Sequence, residues 1–394
     1  MNAKGAVLPV GEGLEPAVIE WLKEALNREI FEAVLIPVET PAEDSYAYLL
    51  IQNPAILDRA SPLPPVMPVQ GGKAIGRLTM RGTLNKRVAA VVRPCEARAA
   101  IELTKLKQAH LTNLFLITLD CAGVLPLSDY LEEPATAGAR FAEAVTQGDR
   151  SPMRPSCQIC HRFSLASAPG VDLHIGTLGI DEGSAVIVPG SLKGERILEQ
   201  MGVSEDDERA RPVAEMLERW TTQVAEVTEA QIERRRQAHA ELQEAVAGAD
   251  RLLETFSTCI NCHNCQRACP VCYCRQCYFE STALKLPPDN YLARATAKGA
   301  LRFAPDTLLF HLGRASHMAL SCVSCGACED ACPMDIPVGQ VFSLLADRAQ
   351  EALGYVAGRN VDDPLPLVAY EMEELHGVEQ PYVEIYREQE VQDA

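Results

Sequence analysis

From Glu15 to Ile30 apolar residues recur at helical spacing, with Val18, Ile19, Leu22, Ala25 and Leu26 on one face, which predicts an amphipathic helix. Phe31 to Val38 follows as an apolar run of strand length. Two more such runs, Arg87 to Val92 and Leu114 to Leu119, flank a helical pattern from Glu96 to Gln108. Strand, helix and strand within about 30 residues is a βαβ signature and predicts a parallel sheet. Leu131 to Pro155, rich in Ala, Gly, Pro and charge, reads as a surface loop, and Val171 to Pro189 returns to strand-like runs broken by glycine turns. Glu208 to Phe256 is charged and helical, one or two long helices, and Tyr291 to Met318 reads as a helix. The pattern predicts an α/β domain with a mostly parallel sheet over 1–205. A helical linker over 206–256, an α-helical domain over 257–352 and a tail over 353–394 follow.

Composition narrows the chemistry. No window of the 394 residues approaches eighteen uninterrupted apolar positions, so no membrane span is expected. Met1 to Gly13 holds one Lys and no apolar run, unlike a secretory signal, which leads to the expectation of a reducing, cytoplasmic setting. A net charge of −18 argues against nucleic acid. Fifteen cysteines in such a chain point to metal rather than disulfides, and eleven of them fall between Cys259 and Cys332.

Two segments share one spacing: Cys259-x2-Cys262-x2-Cys265-x3-Cys269-Pro270 and Cys322-x2-Cys325-x2-Cys328-x3-Cys332-Pro333. Three cysteines at x2 spacing wrap one cubane cluster, and the fourth, before Pro, reaches the other cluster in two-cluster ferredoxins. This assigns Cys259, Cys262, Cys265 and Cys332 to one [4Fe–4S] cluster, and Cys322, Cys325, Cys328 and Cys269 to a second. A zinc site, usually built from two C-x2-4-C pairs, does not produce a doubled run of four with a trailing Pro. Gly326 and Ala327 let the backbone approach a cluster, where amide N–H groups bond to sulfur and raise its potential. Fifty-two residues separate Cys269 from Cys322. In this the segment resembles the helical two-cluster domains of heterodisulfide reductase small subunits and related quinone-linked subunits. That resemblance implies clusters held among helices, passing electrons between partners. Cys272, Cys274 and Cys277 stay open between a further metal site and buried thiols beside the clusters. His263 reads as a surface residue, since clusters normally take thiolates.

Cys95 follows the strand in RVAAVVRPC and Cys121 ends LFLITLDC, so both lie at carboxyl ends of adjacent parallel strands, where open α/β sheets place ligands. Cys157-x2-Cys160 lies beyond the loop, so that four thiolates converge on one site, or two stay buried thiols beside a zinc-like pair. RPCEARAAIEL, LITLDCAG, SCQICHRF and VDLHIGTLG resemble the shared domain of the beta subunits of deazaflavin-reducing hydrogenases and F-type formate dehydrogenases. The resemblance runs from about Gly11 to Gly202 and implies that Cys95, Cys121, Cys157 and Cys160 hold a third [4Fe–4S] cluster beside a flavin adenine dinucleotide (FAD). It further implies hydride exchange between that flavin and the deazaflavin coenzyme. The family's glycine-rich N-terminal stretch is only weakly matched, by Gly11-Glu12-Gly13-Leu14. Gly71-Gly72-Lys73 reads as a turn rather than a phosphate loop. His161 and His174 lie near the third cluster and read as structural.

Two functions follow. In the first the chain is an electron-transfer subunit with no substrate of its own, wired to a formate dehydrogenase, hydrogenase or heterodisulfide-reductase-like complex. In the second it is an FAD-dependent oxidoreductase subunit exchanging hydride with the deazaflavin coenzyme or another hydride carrier. From Val361 to Ala394 the sequence carries ten Asp plus Glu and one Arg, interleaved with Tyr370, Tyr382 and Tyr386, which suits docking on a basic partner surface.

Overall fold

The computed structural model describes residues 5–164, 170–181, 183–203, 210–281, 287–300 and 307–366. Nearly all of the acidic segment expected to dock therefore lies outside the described residues. Residues 1–361 form one compact unit.

Its first half is an α/β/α sandwich. The strands are β1 (Ala6–Pro9), β2 (Ala33–Glu39), β3 (Tyr46–Ile51), β4 (Val88–Val91), β5 (Leu114–Leu119), β6 (Leu173–Gly176) and β7 (Ser184–Pro189), in the order β1-β7-β6-β5-β4-β2-β3. The centre, β2 to β4 to β5 to β6, is parallel. The edges are antiparallel, β3 on β2 at one side and β7, then β1, at the other. The helices of this half are α1 (Leu14–Asn27), α2 (Gly71–Thr79), α3 (Pro94–Lys105), α4 (Leu127–Glu132), α5 (Pro134–Gln147), α6 (Pro155–Gln158) and α7 (Leu192–Gln200). Alternation along β2 explains the layers. Val34, Ile36 and Val38 pack with the Val18, Ile19 and Leu22 face of α1, whereas Ala33 and Leu35 pack with Ile75 of α2 and Ile101 of α3.

The chain then runs through α8 (Ala210–Val246) and α9 (Ala249–Thr255) into α10 (Asn264–Ala268), α11 (Pro288–Lys298), α12 (Thr307–Met318), α13 (Ala327–Asp330) and α14 (Val338–Ala352). Helix α8, 37 residues long, is a brace between the halves. Val213, Trp220 and Val224 pack with Val7, Val186 and Val188 of the sheet. Further along, Leu242 and Val246 join the second core around Phe256, Phe310 and Phe342. Among the described residues no helix is long and apolar enough to cross a membrane.

Three expectations change. The segment expected as a surface loop, Leu131 to Pro155, is mostly helix α5: Pro134 starts it, where its missing N–H costs nothing, and Gly148 ends it. Its buried stripe is Ala137 and Ala144, packed with Val66, Leu125 and Met153, and alanine is too weakly apolar to show as a period. Gly71 to Lys73 opens α2 instead of forming a turn, and Gly72 is there because α2 lies tight on α3: a Cβ would stand 2.7 Å from Ala99 Cβ. Tyr291 to Met318 is divided between α11 and α12, with Gly299 closing the first. Strands β1 and β3, of four and six residues, were not expected at all.

Trp220 is 1% exposed and donates from Nε1 to Asp120 Oδ2 at 2.8 Å, joining α8 to the residue before Cys121. Replacing it with Ala leaves a cavity and removes one of the donors to Asp120 Oδ2, which keeps Thr177 N at 2.8 Å and Leu178 N at 3.3 Å, so Trp220→Ala is expected to lower the unfolding free energy by about 3–5 kcal/mol in anaerobic denaturant titration.

Candidate metal centres

Cys95, Cys121, Cys157 and Cys160 line one cavity. Helix α3 begins at Pro94, directly after β4, which sets Cys95 in the helix's first turn at the carboxyl edge of the sheet. Cys121 sits two residues beyond β5, next strand in the sheet, and α6 brings Cys157 over the same edge. Arg93, Arg150, Arg154 and Arg162 line the cavity with them. Arg150 donates to the carbonyls of Cys157 and Cys121, each at 3.3 Å. Burial pushes the Cys95 and Cys121 thiols above their ordinary range, so their sulfurs carry charge only when a metal or cation meets them.

The doubled motif folds as a two-fold pair. Asn261 and Ser324 occupy equivalent positions and both have positive φ, 57° and 55°. His263 and Gly326, also equivalent, follow at 61° and 72° and precede the short helices α10 and α13. The turns direct backbone N–H groups at sulfur: Asn261 N donates to Cys259 Sγ and Ser324 N to Cys322 Sγ, both at 3.4 Å. Cys259, Cys262, Cys265 and Cys332 line one cavity, three from the first motif and the last from the second. Cys269, at the end of the first motif, lies instead within electrostatic reach of Cys322 and Cys325, and Cys328 within reach of all three. The cysteines are therefore gathered in crossed sets. Cys325 also lines the cavity of Cys95 and Cys121, so this second set adjoins the amino-terminal one.

The donors fit clusters rather than single ions. The thiols stand around a space, as the separate irons of a cubane demand. Arg93 Nε and Arg154 Nε at one cavity, and His311 Nδ1 at another, are buried without a partner among the described residues, a donor supply suited to acceptor sulfur.

His263 is buried, not on the surface: it stacks on Phe310 at 4.1 Å and pairs with Glu280 and Asn261. His174 is structural, hydrogen-bonded to Thr118 at 2.8 Å and to Asp120 at 3.0 Å. His161 lines a larger cavity. Cys274 is exposed, while Cys272 and Cys277 pack at the margin of the second core. The sequence reading missed Arg314. It is 2% exposed, donates to Cys265 Sγ at 3.0 Å and to Cys265 O at 3.1 Å, and lies within electrostatic reach of Cys269, Cys328 and Cys272. Its signal was only its place on the buried face of α12.

Gly326 holds the second motif against α6, since a Cβ there would stand 2.6 Å from Ser156 Oγ on a backbone of φ +72°. Gly326→Ala is expected to cost about 1–3 kcal/mol of stability, part of it recovered in the double variant with Ser156→Gly, read by thermal unfolding.

Residues 255–336 match the 4Fe-4S dicluster domain family. A 324-residue stretch, 74% of this chain, is 27% identical to the F420-dependent formate dehydrogenase subunit beta of Methanocaldococcus jannaschii, of which it covers 78%. F420-dependent formate dehydrogenase 1 subunit beta of Methanococcus maripaludis is 26% identical over 71% of this chain and 74% of its own length. A chain of the F420-reducing [NiFe] hydrogenase complex from Methanosarcina barkeri superposes with a TM-score of 0.37 at 11% identity, covering 56% of this chain and 90% of that one. The chain is an iron–sulfur electron-transfer protein with a 4Fe-4S dicluster domain, similar along most of its length to the beta subunits of F420-dependent formate dehydrogenases.

Proposed function

We propose that the chain relays electrons through three [4Fe–4S] clusters within a redox complex of the formate dehydrogenase or hydrogenase kind. The observation that carries this is the seriation of the thiols. The set of Cys95, Cys121, Cys157 and Cys160 adjoins Cys325, and Cys325 stands with Cys269, Cys322 and Cys328. Arg314 links Cys269 and Cys328 to Cys265 of the third set. Clusters at these positions supply one-electron storage, and the protein supplies spacing, burial and charge. The working division is an α/β cluster domain over 1–205, the brace over 206–256, the dicluster domain over 257–352 and the tail beyond. Partners are the catalytic and electron-transfer subunits of the complex. In the second reading the chain also carries FAD and meets the deazaflavin coenzyme, as the F420 dependence of its relatives suggests.

Full loading requires about twelve iron and twelve sulfide per chain, four cysteines serving each cubane. About eight would remove the amino-terminal cluster. With the crossed sets, Cys269→Ser impairs the cluster of Cys322, Cys325 and Cys328, and Cys332→Ser that of Cys259, Cys262 and Cys265. Cluster-resolved electron paramagnetic resonance separates this from loss of each motif's own cluster.

Arg314 places one cation between two clusters, where it favours the more negative, reduced state of both. Arg314→Met is expected to move both midpoint potentials downward by tens of millivolts, about 59 mV being a tenfold shift for one electron. The larger fall belongs to the cluster that includes Cys265, which loses a hydrogen bond as well as a charge. Redox titration of the variant at unchanged iron content measures it.

A further inference from the structure

The thiol sets follow one another in a row that ends at Cys259, Cys262, Cys265 and Cys332. The amino-terminal set adjoins Cys325, and Arg314 joins Cys269 and Cys328 to Cys265. The cavity of the last set lies close to solvent: Ile260 and Met334 line it and are 61% and 38% exposed. Around it the sign of the charge reverses. Residues 259–302 carry six Lys plus Arg against two Asp plus Glu, a net +4 in a chain of net −18. One of the two acids, Glu280, is turned onto His263 at 2.9 Å, and His263 lines the same cavity. Arg267 reaches Glu280 at 3.7 Å with its side chain 65% exposed, so much of its charge faces water. Arg275, Tyr273 and Tyr278 are exposed as well. Tyr278 adjoins this rim through Phe279, whose ring meets Phe310 at 5.3 Å, and Phe310 stacks on His263. Asp335, beside Met334, is exposed too, so the rim is basic in balance rather than throughout.

Apolar side chains over a redox site, with Tyr and Arg around them, have the composition of a protein interface. So small an apolar centre suits the brief encounters of electron-transfer partners, which bury the least area. We propose that this surface docks an acidic one-electron carrier protein, which takes an electron from the cluster of Cys259, Cys262, Cys265 and Cys332. In that step the reduced cluster loses one electron and the oxidised carrier gains it; no bond forms or breaks. The proposal deepens the relay reading and rests on it. Charge makes the docking oriented. Surface charges are screened beyond about 8 Å at physiological salt, so an approaching acidic face responds to the patch it meets rather than to the sum of −18. Acidic regions elsewhere repel it and this one attracts it, which steers the encounter toward the end of the row. Helix α11, in the same basic stretch, buries none of its 11 residues, and a helix that short is marginal in water unless something covers it.

The test takes full-length, iron-loaded protein, reduces it with dithionite, removes the excess and mixes it in anaerobic stopped flow with three oxidants. These are an acidic blue-copper protein, basic cytochrome c and a small uncharged quinone. The parent is compared with Arg267→Glu, Tyr278→Ala and Arg219→Glu, the last an exposed arginine of α8 paired with Asp181. Expected is a rate constant to the copper protein that falls at least tenfold from about 0.05 to about 0.5 M salt. It falls at least tenfold in Arg267→Glu and at least threefold in Tyr278→Ala. Iron content, quinone reduction and all rates of Arg219→Glu stay at the parent's values. Should Arg267→Glu load less iron, Tyr278→Ala decides, since Tyr278 is exposed and lies outside both cysteine motifs. Copper-protein rates indifferent to salt and to the substitutions would overturn the surface and spare the relay reading. Faster transfer to cytochrome c, slowed by the same substitutions, would overturn the acidic partner. Clusters that accept electrons from dithionite and pass none even to the quinone would end the relay reading itself.

Discussion

Three buried arginines from the first half of the protein and its brace close on one short loop, Cys322 to Cys325. Arg98 of α3 donates to Val323 O at 3.2 Å, Arg235 of α8 to Ser324 Oγ at 3.0 Å, and Arg154, from the turn before α6, to Cys325 O. A guanidinium is the only side chain that stays fully charged in such a place and still offers several fixed donors. The grip does two things. It fixes the second motif against the sheet edge that carries Cys95 and Cys121, so the spacing of the thiol sets follows from packing rather than from loop length. It also brings positive charge to sulfurs whose burial alone would keep them protonated, as at Cys322 and Cys325.

The charge distribution is correspondingly two-sided. Outside, carboxylates dominate and the sum is −18. Inside, arginines collect where thiols do: Arg93, Arg150, Arg154 and Arg162 at the amino-terminal set, Arg314 between the two carboxyl-terminal ones. An electron arriving at the carboxyl-terminal clusters adds negative charge in a poorly solvated region. Fixed cations nearby lower that cost by an amount water cannot supply once excluded.

How much of this could be read from the chain depended on whether the signal was local. The doubled motif was legible because ligand type and spacing sit within eleven positions, Cys259 to Cys269 and Cys322 to Cys332. The gathering of Cys95 and Cys121 was legible at one remove, since a βαβ period puts successive strand ends side by side. Helix α5 was not legible, because its buried face is alanine and its first residue is proline, a breaker anywhere but there. Nor were the arginine grip and the large cavity. Residues 98, 154, 162, 235 and 348 share no spacing and meet only when α8 lays the second half against the first. His263 misled for a related reason: a polar residue inside a cluster motif looks solvated until Phe310 and Glu280 are found against it.

The crossing of the fourth cysteines has a consequence for how the protein is made. The pocket opened by Cys259, Cys262 and Cys265 is closed only by Cys332, and Cys269 waits on a motif that begins at Cys322. During synthesis the ribosome delivers the first motif long before its last wall exists. Three thiols on an open face can accept iron and lose it again, and neither pocket can shut until the second motif has begun to leave the exit tunnel. Closure is therefore gated by chain length: a chain truncated before Cys322 leaves both pockets incomplete, and one ending between Cys328 and Cys332 lacks only the last wall of the first.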